Sequence, residues 1–148
     1  MIAEICGLLA ALTCLSWWDI RKRMIPVPVL LAAGIYTVIL HMACHRLTWP
    51  EMAAGAAVGL FLLLLTLASR GKIGAGDGLL FALVIGPALG FAGTCTVLYI
   101  SLLLVTGAGC IAAVRKRAEG HGEAVEVPFV PFVLAAVVIT LVLRGGVL

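Results

Sequence analysis

Charged residues are so sparse in this chain that they act as punctuation, cutting it into apolar stretches of similar length. Residues 2–18, 27–45 and 52–69 are the first three stretches, and 127–143 is the last. Between them, 78–114 runs for thirty-seven positions without Asp, Glu, Lys or Arg. A helix rises about 1.5 Å per residue and bilayer hydrocarbon is about 30 Å thick, so roughly 20 apolar residues cross it. Each short stretch predicts one span, and the long run predicts two, joined by a tight turn within 90–96. The pattern therefore predicts an all-α fold: a polytopic integral membrane protein with six transmembrane helices, forming a single domain over 1–148.

Composition agrees, because 64% hydrophobic residues and a mean hydropathy of +1.23 lie far from a soluble domain. The first stretch has Glu4 as its only early charge, whereas a secretory signal wants a basic leading region, so it reads as a retained span. A net charge of +3 suggests nucleic acid only until the basic residues are placed. Arg21, Lys22 and Arg23 follow span one, Arg70 and Lys72 follow span three, and Arg115, Lys116 and Arg117 follow span five. Arg46 and Arg144 alone are left for the other side. Eight against two orients the chain with both termini outside the cytoplasm, and no nucleic-acid partner is expected. Residues 115–126 read as a polar, solvated loop. The odd set Cys6, Cys14, Cys44, Cys95 and Cys110 shows no Cys-x-x-Cys spacing, which argues against zinc and disulfides and for small packing residues in helices. His41, His45 and His121 fall on opposite membrane faces, so no metal or other cofactor is predicted.

Two acids stand out against this background. Asp19 closes the first apolar stretch, and Asp77 opens the uncharged run within Gly74-Ala75-Gly76-Asp77. A carboxylate at or inside a membrane boundary costs several kcal/mol unless paired or hydrated, which makes it a functional candidate. Span one ends and span four begins on the cytoplasmic side, so both acids arrive at one boundary and can meet if those spans pack together. Gly74, Gly76 and Gly78 leave a bare face where a neighbouring backbone or a substrate helix can approach. Gly55 with Gly59, and Gly86 with Gly90, read as packing seams, and Pro87 predicts a kink.

Two carboxylates a few ångströms apart share a proton, and such a pair activates water: one takes its proton while the other donates to the developing oxyanion or leaving group. Spacing does not assign the two roles. Plainer readings stand beside this one. Asp19 can be an interfacial acid paired with Arg21 or Lys22, Asp77 a helix cap, and the two together an ion or proton relay.

Further matches shift the balance. The segment Asp19-Ile20-Arg21-Lys22-Arg23-Met24-Ile25-Pro26 resembles the motif after the first span of type IV prepilin peptidases, and Gly74-Ala75-Gly76-Asp77 resembles their second aspartate motif. Pro128-Phe129-Val130-Pro131-Phe132 is similar to the Pro-Phe-x-Pro-Phe element that begins their last core span. Three motifs in order over 19–132 are far more specific than the second alone.

The resemblance implies an aspartic endopeptidase of a prokaryotic cytoplasmic membrane, with Asp19 and Asp77 at the catalytic positions and no cofactor. Its partners would be the lipid bilayer and a prepilin or pseudopilin with a hydrophobic N-terminal helix, which could lie along the glycine-rich face near span four. Departures accompany the match. Leu79 stands where family members often carry Lys, with Lys72 as a weaker substitute, and Val27 stands where Asn often follows Ile-Pro. The chain lacks the four-cysteine cytoplasmic domain of longer members, which argues against their N-methyltransferase activity. Pro128 and Pro131 read as helix-start residues rather than substrate contacts. A presenilin-like protease with the same Gly-x-Gly-Asp motif and a non-enzymatic subunit or proton-coupled transporter remain the alternatives.

Overall fold

Each apolar stretch folds as a helix, and the way each helix starts follows from its first few residues. A computed structural model of the protein describes residues 2–22, 26–44, 48–68, 74–118 and 128–145. The helices are α1 (Ile2–Lys22), α2 (Val27–Cys44), α3 (Trp49–Ala68), α4 (Ala75–Leu80), α5 (Gly86–Ala118) and α6 (Val130–Gly145), with a π-helical turn (Phe81–Ile85) joining α4 to α5. The described residues are all helical apart from the few at helix starts.

Three helices begin with proline at their second position, where a missing N–H leaves no intrahelical bond unmade. In α2 the Pro26 carbonyl accepts from the amides of Val29 and Leu30, both at 3.1 Å. In α3, Glu51 Oε2 accepts from Thr48 N at 2.8 Å and Thr48 Oγ1 at 2.9 Å, a local capping pair. α6 has no such side chain of its own, because 128–133 reads Pro-Phe-Val-Pro-Phe-Val.

The Asp77 helix runs through the middle of the bundle. Leu80, Phe81, Val84 and Ile85 are fully buried, joined in one core by Leu8, Leu12 and Leu15 of α1, Leu30 of α2, and Val130, Val133 and Val137 of α6. α3 lies against it backbone to backbone. A Cβ on Gly59 would enter the Ala82 backbone, one on Gly55 would enter that of Gly86, and one on Gly78 would come 2.9 Å from Leu63 N. These pairs advance by four residues in opposite directions, so the helices are antiparallel with one small-residue register. α3 therefore fills the glycine seam over residues 78–90, whereas Gly74 is exposed and Gly76 is half-buried.

The long uncharged run breaks where a turn was expected. Gly90 takes φ 66° and ψ −175° inside the segment assigned to α5, a backbone conformation that glycine alone adopts without strain. Thr94 Oγ1 bonds to Gly90 O at 2.6 Å and lies 3.5 Å from Ile85 O. Residues nine apart in a straight helix are separated by about 13.5 Å, so the chain bends sharply here. Gly90 thus serves as a bend, and it also lies in the seam read from its spacing with Gly86, since a Cβ on Gly55 would come 2.9 Å from Gly90 C. The irregularity near Pro87 takes the form of the π turn just before it, where the amide of Gly86 bonds to Phe81 O, five residues back.

Two apolar stretches, Trp49–Ala68 and Ala75–Arg115, are long enough to cross a membrane, and only 22% and 11% of their most apolar windows are buried. A core helix of a soluble protein would be mostly buried. Val27–Leu40 and Val130–Leu143 are shorter apolar helices. Leu60, Phe61, Leu64, Leu67, Ile111 and Val142 all point outward, as a lipid-facing surface requires. Two details differ from the sequence reading. Cys6, Cys14 and Cys110 face outward instead of packing inside, and residues 115–118 extend α5 instead of opening a loop. Arg23, His45, Arg46, Arg70, Lys72 and His121 lie outside the described residues.

Candidate active site

Asp19 occupies the last turn of α1, which continues to Lys22 beyond the predicted span end at residue 18. An acid there faces the negative end of its own helix dipole, an unfavourable position. The chain offsets this with a second helix. Asp19 Oδ2 accepts a hydrogen bond of 3.1 Å from the backbone amide of Val130, at the start of α6. The acid therefore sits at the disfavoured end of α1 and the favoured end of α6. Arg21 lies 4.8 Å over the Trp17 ring, so one of the two cations considered as partners for Asp19 has an aromatic contact of its own.

Asp77 sits in the first turn of α4, the end of a helix that favours an acid. Its amide bonds to Gly74 O at 3.2 Å, and its carboxylate folds back over Gly74, where an added Cβ would come 2.9 Å from Oδ2. Two glycines of the motif region thus differ in role. Gly74 makes room for the carboxylate, and Gly78 makes room for the backbone of α3.

The two acids border one segment, and both side chains are half-buried. The segment that starts α6 touches both helices. Val130 holds Asp19, and the Phe129 ring packs against Phe81, four residues beyond Asp77, with centroids 6.3 Å apart and planes tilted by 40°. Three helix ends from distant parts of the chain thus meet at one end of the bundle.

The sequence profile of the type IV leader peptidase family matches residues 6–143, nearly the whole chain. The chain belongs to that family. Comparison with curated proteins and with solved structures returns no match. Membership makes the protein a peptidase of a family whose chemistry is aspartic, and gives the three converging motifs a common setting.

Within this leader peptidase chain, Leu79 is partly buried against the hydrophobic core. No cation stands at that position, and Lys72, the substitute considered from sequence, is not among the described residues. No group of three or more His, Cys, Asp or Glu is placed to hold a metal among the described residues. Sequence reasoning did not find the Val130 amide or the Phe81–Phe129 contact. Two signals pointed to the first: an acid at the wrong end of its own helix, and a helix start with no polar side chain to cap it.

The Gly74 geometry sets a test. Its φ of −64° suits any L-residue, so Gly74→Ala leaves the backbone unstrained and acts on the Asp77 carboxylate alone. We expect a roughly tenfold or greater fall in leader cleavage with normal accumulation, the result that the catalytic role expected of Asp77 from sequence requires, since small displacements of a reacting group are costly. Wild-type cleavage by this variant would show that the carboxylate is not held over Gly74 in the working state.

Proposed function

We propose that this chain is a six-span aspartic endopeptidase of a prokaryotic cytoplasmic membrane. It removes the leader of type IV prepilins or prepilin-like proteins at the cytoplasmic face, with Asp19 and Asp77 activating water. The observation that carries the reading is the convergence of the Asp19 end of α1 and the Asp77 helix on the start of α6, in a chain of the leader-peptidase family. One carboxylate, ionised, takes a proton from water as its oxygen bonds to the peptide carbonyl carbon. The other, protonated, donates to the oxyanion. Collapse of the tetrahedral intermediate breaks the C–N bond, and a proton passes to the departing amine.

The charge pattern supports the sidedness. The loops after spans one, three and five hold eight of the ten basic residues, and Asp19, Asp77 and Val130 sit at the span ends bordering those loops. The substrate implied is a basic leader followed by a hydrophobic helix that stays in the bilayer, cut after glycine. The reading includes cleavage without N-methylation.

Co-expression with a candidate prepilin, followed by mass analysis of the product N-terminus, tests the proposal. The expected product begins at the residue after the leader and carries an unmodified amine. An intact leader across a panel of prepilins, with the protein well accumulated in membranes, would favour the transporter or subunit reading. A methylated terminus would overturn only the cleavage-without-methylation part.

A further inference from the structure

The first turn of an α-helix leaves its leading amides without intrahelical acceptors, and in α6 nearly all of them are accounted for. Phe129 O accepts from Phe132 N at 3.0 Å and from Val133 N at 3.2 Å. Pro131 has no N–H to give. The one donor left in that turn is Val130 N, and it goes to Asp19 Oδ2. At the start of α3 the acid is local, Glu51 Oε2 accepting from Thr48 N, the residue before the helix. The start of α6 is instead capped by an acid 111 residues away along the chain.

We propose that the backbone amide of Val130 is the positioning group for Asp19 in peptide cleavage, and that Pro131 leaves it the one donor of its turn not spent on Phe129 O. The inference rests on the aspartic-peptidase reading above. A carboxylate on a single rotatable stem has two equivalent oxygens. Binding Oδ2 removes that freedom and leaves Oδ1 as the oxygen clear to take a proton from water. Pro131 matters because a second amide beside Val130 would offer the carboxylate a competing orientation. The anchor itself is rigid, since Val130, Val133, Ala136 and Val137 form the fully buried face of α6. The Phe129–Phe81 contact ties the same segment to the Asp77 helix, so one short element sets both acids.

Proline at the first helical position suits the helix and lacks only the N–H, so Val130→Pro deletes the donor with the fold kept. Val130→Ala is its counterpart, keeping the N–H and losing two methyls. Steady-state cleavage of a prepilin by wild-type and variant protein in membranes should show kcat down tenfold or more for Val130→Pro, with KM within about twofold. Val130→Ala should keep kcat within about threefold. Where Val130→Pro fails to accumulate, replacing Val130 by its α-hydroxy acid removes the same N–H with the side chain intact and decides the question. Wild-type kcat in the donor-deleted protein, or an equal loss in Val130→Ala, overturns the proposal while leaving the peptidase reading in place. Absence of cleavage by the wild-type protein, by contrast, would overturn the peptidase reading itself and this inference with it.

Discussion

Asp19→Asn and Asp77→Asn are each expected to abolish leader cleavage while both proteins insert and accumulate like the wild type. Asparagine preserves shape, and at position 19 its carbonyl oxygen can still accept the Val130 amide. What it cannot do is exchange a proton with water or with the other acid. Positioned general acid–base groups contribute about 10²–10⁴-fold, and neither half of a shared pair works without the other, so the double variant should be no worse than either single one. Cleavage of a prepilin in isolated membranes, read by the mobility of the shortened product, measures this. Full cleavage by either variant would remove that residue from the mechanism. Loss of an ion flux with cleavage untouched would point to the transport alternative.

The second large effect is on folding. Gly59→Val is expected to prevent stable accumulation, because even a Cβ at this position would overlap the Ala82 backbone, and helix backbones cannot yield as a side-chain tip does. Overpacking a closed core costs roughly 1–3 kcal/mol and sometimes more, and this contact is of the unyielding kind. Gly107→Val is the control, since nothing lies within 4 Å of where its Cβ would be. Membrane levels and thermal unfolding in detergent should separate the two. Similar behaviour of both variants would mean that the close approach of α3 to the Asp77 helix does not hold the fold together.

Much of this arrangement was legible in the sequence because charge in a membrane protein is scarce and therefore informative. Asp19 and Arg115 marked helix ends to within about a turn, since α1 continues to Lys22 and α5 to Ala118, and the bend at Gly90 fell within the turn read from the length of the uncharged run. The glycine spacing of α3 marked a real seam. What escaped was mostly a matter of facing. Lipid is as apolar as the protein interior, so hydrophobicity does not tell an outward Cys14 or Cys110 from an inward Leu12 or Leu15. Gly74 and Gly78 look alike in the sequence, yet one yields to a carboxylate and the other to a helix. The Val130 amide belongs to the backbone, and only indirect signals pointed to it, the acid at the unfavourable end of α1 and the start of α6 without a capping side chain. Its importance becomes visible only when the end of α1 is placed beside the start of α6.

The close seam between α3 and the Asp77 helix also limits how the enzyme can move. With Gly55, Gly59 and Leu63 meshed against Gly86, Ala82 and Gly78, these two helices translate and rotate as one rigid block. On the opposite side, the Asp19–Val130 hydrogen bond couples α1 to α6. Any relative movement of these two pairs therefore has to part the Phe129–Phe81 rings, the contact that joins the start of α6 to the Asp77 helix.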